Sequence, residues 1–210
     1  MKLLTTFKTA LASIALVSAA GLAAADEKTE AYVQENANNV LSSLNAPDVT
    51  AEERRAKFQQ YMEEFSNLDA VAKFVIGRYS RQFTEDELEA YIAAFRTYAL
   101  AVYEFYFNEY KGQAVEVTGS LDRNARDSIV DTTILRADGE ALTVRWRVLQ
   151  RGGEYQVVDI ALNADGNLIW LAIEQQAQFL SILDQNNGSA DALIAKIESM
   201  TDELVALRDE

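Results

Sequence analysis

Few side chains in this sequence could do chemistry. The 210-residue chain contains no histidine and no cysteine, so it can build neither a Ser-His nor a Cys-His nucleophile, and it lacks the usual zinc and iron ligands. Carboxylates, Lys, Tyr and Ser or Thr remain, and Asp131, Asp159 and Tyr155 are the candidates for an acid or a base. The sequence has no calcium-loop spacing and no glycine-rich phosphate loop. We therefore expect no metal and no cofactor.

Two pairs of arginines are the other polar candidates. Arg78 and Arg81 lie near a predicted helix junction, where they would meet either a phosphate or an acidic partner, or form a surface salt bridge. Arg145 and Arg147 alternate with apolar residues, which favours a solvated, polar face of a strand.

Apolar surface is more abundant than chemistry, above all in one aromatic-rich helix. Eight Phe or Tyr residues lie between Tyr91 and Tyr110. A capping-box pattern at Thr84 and Glu87 predicts where this helix begins, and Gly112 predicts its end. The apolar face is wider than one packing partner requires. Either the helix is enclosed on nearly all sides, or part of it lines a space for a ligand.

The first 25 residues have the order of a secretory signal peptide. Lys2 and Lys8 precede an apolar run that is too short to span a bilayer, and small residues at 23–25 form a cleavage site. Removing residues 1–25 leaves 17 basic and 33 acidic residues, a net charge of −16. Such acidity disfavours binding to nucleic acid. We expect a soluble, exported protein.

The remaining chain, 26–210, reads as a single α+β domain. Helical periodicity extends to about residue 111, and apolar residues then alternate over about 113–162, with turns at Asp138-Gly139 and Gly152-Gly153. Helical spacing returns from Leu168 and continues over about 167–207. Short turns between strands predict an antiparallel sheet of about four strands, packed with helices on either side in sequence.

Several segments together resemble the MlaC, or toluene-tolerance, family of periplasmic phospholipid-binding proteins. They are GRYSRQFTEDELEAYIAAFRTY at 77–98, EYKGQAVEV at 109–117, RADG at 136–139, RGGEYQVVDI at 151–160, and QFLSIL and NNGSADALIAKI near the end. The resemblance implies a curved, nuclear-transport-factor-like sheet packed by helices around an apolar cavity. It implies no enzymatic activity, but a periplasmic carrier that exchanges a phospholipid with an outer-membrane lipoprotein complex. The second partner would be an inner-membrane ABC transporter with a periplasmic lipid-binding subunit, in a system that maintains outer-membrane lipid asymmetry.

Thirteen apolar residues are our candidates for the cavity wall, although each is as well explained by ordinary core packing. They are Val75, Phe95, Tyr98, Val102, Val117, Val130, Ile134, Val144, Trp146, Val148, Val157, Leu171 and Phe179. The segment 161–179 departs from the family pattern, because Gln175-Gln176-Ala177 stands where a basic residue is expected. Trp170 within it is either a gate or, in the better interpretation, core.

Two other function classes stay open. One is an enzyme, or another protein that binds small hydrophobic ligands, on the same scaffold; a buried carboxylate facing the cavity would favour the enzyme. The other is a chaperone-like interaction protein, which an exposed groove would favour.

Overall fold

The structure, a computed structural model, describes residues 27–44, 48–107, 114–135, 141–164 and 167–208. The predicted signal peptide, the predicted helix end at Gly112 and the Asp138-Gly139 turn lie outside these ranges. The helices are α1 (Glu27–Leu44), α2 (Ala51–Phe65), α3 (Leu68–Val75), a 3-10 helix (Gly77–Arg81), α4 (Glu85–Phe107), α5 (Leu171–Gln185) and α6 (Ala190–Arg208). The strands are β1 (Val115–Asn124), β2 (Asp127–Leu135), β3 (Ala141–Arg151), β4 (Glu154–Ala164) and β5 (Asn167–Trp170).

The helix starts follow local capping chemistry. The Thr84 amide donates to Glu87 Oε2 at 2.8 Å, and the Glu87 amide donates back to the Thr84 hydroxyl at 3.3 Å. This reciprocal pair satisfies two amides that the helix itself leaves without partners. The cap of α3 is Asn67, whose Oδ1 accepts from the Ala70 amide at 3.0 Å, and Asp69 in the first turn pairs with Arg96 of α4.

The α+β prediction is confirmed, with one strand more than expected. The five strands form an antiparallel sheet in the order β1-β2-β3-β4-β5. We expected a helix from Leu168, but residues 167–170 pair with 161–164 of β4, and the helix begins only at Leu171. The sequence expectation was wrong because the four residues 167–170 are too few to show a helical or a strand periodicity. Pairing with β4 decided their conformation.

The interior is divided into two apolar cores. In the first core, one face of the sheet packs against α1 and α2, with Phe58, Phe65 and Trp146 among its buried side chains. The second core is formed by α3, α4, α5 and α6. Leu100 and Tyr103 of α4 are partly buried and pack against both cores. The two halves of the interior therefore meet at α4 and at the start of α5, where Leu171 packs against the first core and Ala172 lies in the second.

Side chains of α1 cover the first strand of the sheet. Asn38 Oδ1 accepts from the Val115 amide at 2.9 Å, and Gln34 Oε1 accepts from the Val117 amide at 3.0 Å. These bonds occupy backbone donors that an edge strand would otherwise present to another chain.

Within the described residues, no helix is both long and apolar enough to span a membrane.

Candidate functional site

A β-bulge in β4 begins the candidate site. Arg147 of β3 faces Asp159 of β4, and the next residue, Val148, faces Val157, so Val158 is an extra residue in β4. A bulge bends its strand and redirects the neighbouring side chains. Here it brings Val158 and Asp159 to the wall of a cavity between β4 and the helices α3, α4 and α5.

This inner cavity is small and mostly apolar. Its volume is about 30 Å³, and roughly 10–15 Å³ is enough to hold a water molecule. It is lined by Val71, Phe95, Tyr98, Ala99, Val102, Tyr103, Val158, Asp159, Leu171, Ala172 and Gln175. A single small polar group or the end of one hydrocarbon chain would fill it.

A larger outer part of about 300 Å³ adjoins the inner cavity, between α4, α5 and α6. The two parts share Tyr98, Val102, Leu171 and Gln175, and we name the whole the α4–α5 cleft. The outer part adds Phe105, Glu174, Gln178, Met200, Glu203, Leu204 and Leu207. A volume of this size is at the lower end for small-molecule sites, which are roughly 300–1,000 Å³.

Asp159 is the buried polar group of the cleft, with 7% of its surface exposed. Its Oδ1 accepts from the amides of Ile160 and Ala172, both at 2.9 Å. Trp170, the N-cap residue of α5, makes no side-chain capping bond, so Asp159 caps α5 from the neighbouring strand. Burial raises the pKa of Asp159 to about 6, although the two amides and Arg147 act in the opposite direction.

Tyr103 lies beside this carboxylate. Burial, and after it the negative charge of Asp159, raises the pKa of the Tyr103 hydroxyl. Within the described part of the chain, neither this hydroxyl nor Oδ2 of Asp159 has a hydrogen-bond partner. By contrast, the Tyr98 hydroxyl donates to Gln175 Oε1 at 2.8 Å across the cleft. The inner end of the cleft therefore holds a donor and an acceptor that the described residues leave unused.

The thirteen predicted cavity residues fall into three sets. Phe95, Tyr98, Val102 and Leu171 line the α4–α5 cleft. Val75 and Phe179 lie in the second core, where the Phe179 ring packs 6.2 Å from that of Phe95. The strand residues Val117, Val130, Ile134, Val144, Trp146, Val148 and Val157 lie in or against the first core.

The strand residues pack in the first core with α1 and α2, and of α4 only Leu100 and Tyr103 are among the described side chains packed against that core. The Trp146 ring packs 5.3 Å from that of Phe65, and its Nε1 donates to the Thr132 hydroxyl at 2.7 Å. The gap beside Trp146 and Ile134 is only about 10 Å³. In this structure these side chains pack as ordinary core residues. Their contact with a lipid stays a prediction.

The candidate arginines lie on the surface and outside the cleft. Arg78 donates to Asp184 Oδ1 at 2.8 Å and lies over the Tyr79 ring. The bond to Asp184 is the surface salt bridge that was expected as the alternative to a phosphate or a partner protein. Arg81 is exposed as well. The strand arginines are ion-paired as well as half exposed: Arg145 makes two bonds to Asp131, at 2.5 and 2.9 Å. Arg147 pairs in the same way with Asp127.

A second cleft, of about 360 Å³, lies on the other side of α4, between α2, α4 and α6. Phe58, Leu100, Ala101 and Val205 are among its apolar lining residues. Charged residues are part of its wall, including Arg55 and Glu104, which approach each other to 3.7 Å. We name it the α2–α4 cleft. No sequence pattern indicated it, because it forms between helices far apart in the chain.

Several lining residues of the α4–α5 cleft were also missed by sequence reasoning. They are Val71, Ala99, Tyr103, Val158, Ala172 and Gln175, besides the outer residues Phe105, Glu174, Gln178, Met200, Glu203, Leu204 and Leu207. One signal for Val158 was available. Two adjacent valines at 157 and 158 interrupt the alternation of β4, and such an interruption is typical of a bulge. Among the described residues, no cluster of acidic side chains could hold a metal ion.

Comparison with known proteins identifies the family to which this α+β fold belongs. The family model described as "MlaC protein" matches residues 34–199. The chain therefore belongs to the MlaC family. Among solved structures, it is similar to a phospholipid-binding protein from Ralstonia solanacearum in complex with a phospholipid. The TM-score is 0.70 at 19% identity, over 83% of this chain and 97% of that one. No curated protein matches the sequence.

Proposed function

We propose that this protein is a soluble periplasmic carrier that binds a phospholipid by its acyl chains. In this proposal residues 1–25 are the export signal and 26–210 form one lipid-binding domain that has no enzymatic activity. The carrier exchanges its ligand with an outer-membrane lipoprotein complex and with an inner-membrane ABC transporter that has a periplasmic lipid-binding subunit. The observation that carries the proposal is an apolar cleft, the α4–α5 cleft, in a chain of the MlaC family.

The hydrophobic effect explains why such a carrier needs a cleft and little else. A diacyl phospholipid in water exposes on the order of 30 methylene groups, and removing them from water is worth roughly 25 kcal/mol at about 0.8 kcal/mol each. Apolar walls such as Phe95, Val102 and Leu171 can offset this cost without directed contacts to the headgroup. The binding must not greatly exceed that of the bilayer, because the carrier has to release its ligand.

The described cleft is narrow for two acyl chains, so loading requires it to widen. Among the described residues, Leu100 and Tyr103 are the partly buried apolar side chains that pack against both cores, and each of the others packs against one core. In this proposal the two cores move apart in a hinge or shear motion. No Lys or Arg is among the described residues that line the α4–α5 cleft. The phosphate of a bound lipid therefore stays outside, in water.

Lipid that co-purifies with the protein tests the proposal. We expect mass spectrometry to find phospholipid in the wild-type protein and much less, about tenfold, in Val102→Trp, because the new ring fills the α4–α5 cleft. Ala101→Trp is the matched control, since Ala101 lines the α2–α4 cleft one residue away on the same helix. Wild-type protein without phospholipid in repeated preparations would contradict the proposal. If lipid is lost from A101W and kept in V102W, the lipid site would lie in the α2–α4 cleft instead.

One observation favours an enzyme as the second candidate. Asp159 is a buried carboxylate of raised pKa facing an apolar cleft, which is a usual setting for a general acid or base. Incubation with phospholipid vesicles and analysis of released fatty acid separates the two candidates. Product that forms with the wild-type protein and not with Asp159→Asn would support the enzyme, whereas unchanged lipid supports the carrier.

A further inference from the structure

Exposed apolar side chains are concentrated at one end of the α4–α5 cleft. Six large apolar side chains of the described residues are more than a third exposed, and four of them are Phe105, Leu168, Ile169 and Leu207. Phe105 and Leu207 line the outer part of the cleft, near the C-terminal ends of α4 and α6. Leu168 and Ile169 come three and two residues before Leu171, which lines both parts, so they lie within about 11 Å of it along the chain. We name these four side chains the cleft rim.

The two rim residues in β5 are unusual for an edge strand. Strand β5 is the last strand of the sheet and pairs with β4 alone. Edge strands usually carry charged residues or proline, or are covered by another element, as α1 covers β1. In β5, by contrast, Leu168 and Ile169 are adjacent, exposed and on opposite faces, and no residue of Asn167–Trp170 is charged. A group of exposed apolar side chains of this kind marks a binding surface.

We propose that the cleft rim is a contact surface for a zwitterionic lipid bilayer, which it touches briefly with the mouth of the α4–α5 cleft toward the membrane. This inference rests on the proposed function, because it takes this cleft to be the site of the acyl chains. It adds that lipid passes between bilayer and protein by direct contact, without a partner protein. The rim side chains enter the interfacial region of the bilayer. The acyl chains then move along apolar surface, and the headgroup stays in water.

The extent of the rim favours a bilayer over a protein partner. Its side chains are between 36% and 55% exposed. An aromatic side chain buries roughly 150–250 Å² when fully covered, so the rim offers on the order of 300 Å², whereas a stable protein interface buries about 800 Å² on each partner. The rim also comes from three separate elements, α4, β5 and α6, and a fluid bilayer adapts to such side chains without a complementary shape. So little apolar surface gives only reversible attachment, which a carrier needs.

Charge determines the kind of bilayer. The chain has a net charge of −14, and the charged residues among the described lining of the outer cleft are Glu174 and Glu203. An anionic membrane surface repels these carboxylates. The outermost group of a zwitterionic bilayer is instead the ammonium of its headgroups, which attracts them. Pairing of two copies rim to rim is disfavoured, because it brings the same acidic residues together.

The dependence of transfer on vesicle concentration tests direct contact. The purified protein is loaded with a fluorescent phosphatidylcholine and mixed with an excess of vesicles made of phosphatidylcholine alone. If lipid leaves during contact, the transfer rate rises in proportion to the vesicle concentration, and this is the result we expect. If lipid leaves through water, the rate does not depend on the vesicles. A rate independent of vesicle concentration, or no transfer to these protein-free vesicles, would overturn the inference.

A double substitution tests the rim itself. Leu168→Ser combined with Ile169→Ser removes rim side chains that do not line the cleft, so the amount of bound lipid should stay the same. Transfer should become slower by about fivefold or more. Phe74→Ser is the matched control, because Phe74 is 44% exposed and lines neither part of the cleft; its carbonyl accepts from Gln176, on α5. Equal transfer rates in the two variants would contradict a role of the rim.

A substitution that strengthens the contact guards against effects of misfolding. Tryptophan is favoured at the interface between membrane and water, so Leu168→Trp should make transfer faster, by about threefold. A damaged fold does not produce this result. A transfer rate in L168W no higher than that of the wild-type protein would contradict the bilayer contact.

Two further measurements separate the alternatives. Vesicles with about one third phosphatidylglycerol should accept lipid about threefold more slowly at low salt, with a smaller difference at high salt; faster transfer to them would overturn the choice of a zwitterionic surface. A dimer in sedimentation analysis that the double substitution dissociates would assign the rim to a second copy instead. A protein that carries no phospholipid would contradict the proposed function itself. Bound lipid that is released independently of vesicles would contradict only this inference.

Discussion

Asp159 combines two roles that usually belong to different residues. One oxygen caps α5 and joins it to β4 through the amides of Ile160 and Ala172. The residue also lines the inner cavity of the α4–α5 cleft. A carboxylate that accepts two amide bonds is ordinarily held in its charged form, but here burial is the larger influence and raises its pKa to about 6.

This raised pKa predicts a pH dependence of stability. Between the unfolded pKa of about 3.9 and the folded pKa of about 6, the folded protein binds more protons at Asp159 than the unfolded chain does. The contribution of Asp159 to the free energy of unfolding therefore falls as the pH rises through this window, by at most about 3 kcal/mol. Chemical denaturation at pH 4.5 and pH 7.5 measures it.

The Asp159→Asn variant is the control for this prediction. It keeps an oxygen for the two amides and cannot titrate, so its change in stability between pH 4.5 and 7.5 should be smaller than that of the wild-type protein, or opposite in sign. Other carboxylates titrate in the same range and are common to both proteins. Identical pH profiles would show that Asp159 does not govern this change.

At the scale of elements, the connection from α5 to α6 depends on one glycine. Gly188 has a φ of +77°, and a Cβ there would lie 2.9 Å from Cε1 of Tyr79. The Tyr79 ring has little freedom to move, because it is buried and its hydroxyl donates to Asp184 Oδ1 at 2.6 Å. Left-handed backbone is unfavourable for residues other than glycine.

Gly188→Ala is therefore expected to destabilise the protein by about 2–4 kcal/mol, from backbone strain together with displacement of Tyr79. Urea denaturation followed by circular dichroism measures the change. Gly119→Ala in β1 is the matched control, because a Cβ there meets no atom within 4 Å, and it should change stability by about 0.5 kcal/mol or less. Equal effects of the two substitutions would contradict the role of Gly188.

Some secondary-structure features of this protein follow from local sequence patterns, and others arise only from pairing between strands. The capping box at Thr84 and Glu87 and the alternation of β2 and β3 are local patterns, and both formed as expected. Strand β5 did not follow from its own residues, since Asn167–Trp170 becomes a strand only by pairing with β4. The bulge at Val158 likewise exists only relative to β3.

At the scale of the whole molecule, two apolar cores meet at α4, and this division suits a carrier. A single continuous core would have to be disrupted for a ligand to enter, whereas in the proposed carrier the two cores separate. Leu100 and Tyr103 hold the junction. The two clefts lie on either side of it, and Leu100 lines the α2–α4 cleft and Tyr103 the inner cavity of the α4–α5 cleft.

Weakening this junction should make lipid exchange faster. We expect Leu100→Ala to lower the free energy of unfolding by about 1–2 kcal/mol, because the side chain is only partly buried, and to increase the rate at which a fluorescent phospholipid moves from the protein to vesicles. Leu193→Ala is the control, because Leu193 is fully buried within the second core alone. It should cost at least as much stability without faster exchange. Equal exchange rates in both variants would show that the junction does not limit loading.

The sequence by itself determined the α+β class, the start of α4 and most of the strands, because caps and periodicity act between residues a few positions apart. Its resemblance to the MlaC family was also correct. Only the tertiary structure decided which apolar residues line a cleft. Trp146 and Phe95 were both predicted to line a cavity, yet Trp146 packs against α1 and α2 in the first core and Phe95 lines the inner cavity of the α4–α5 cleft. That difference arises from contacts between distant segments, which no local pattern encodes.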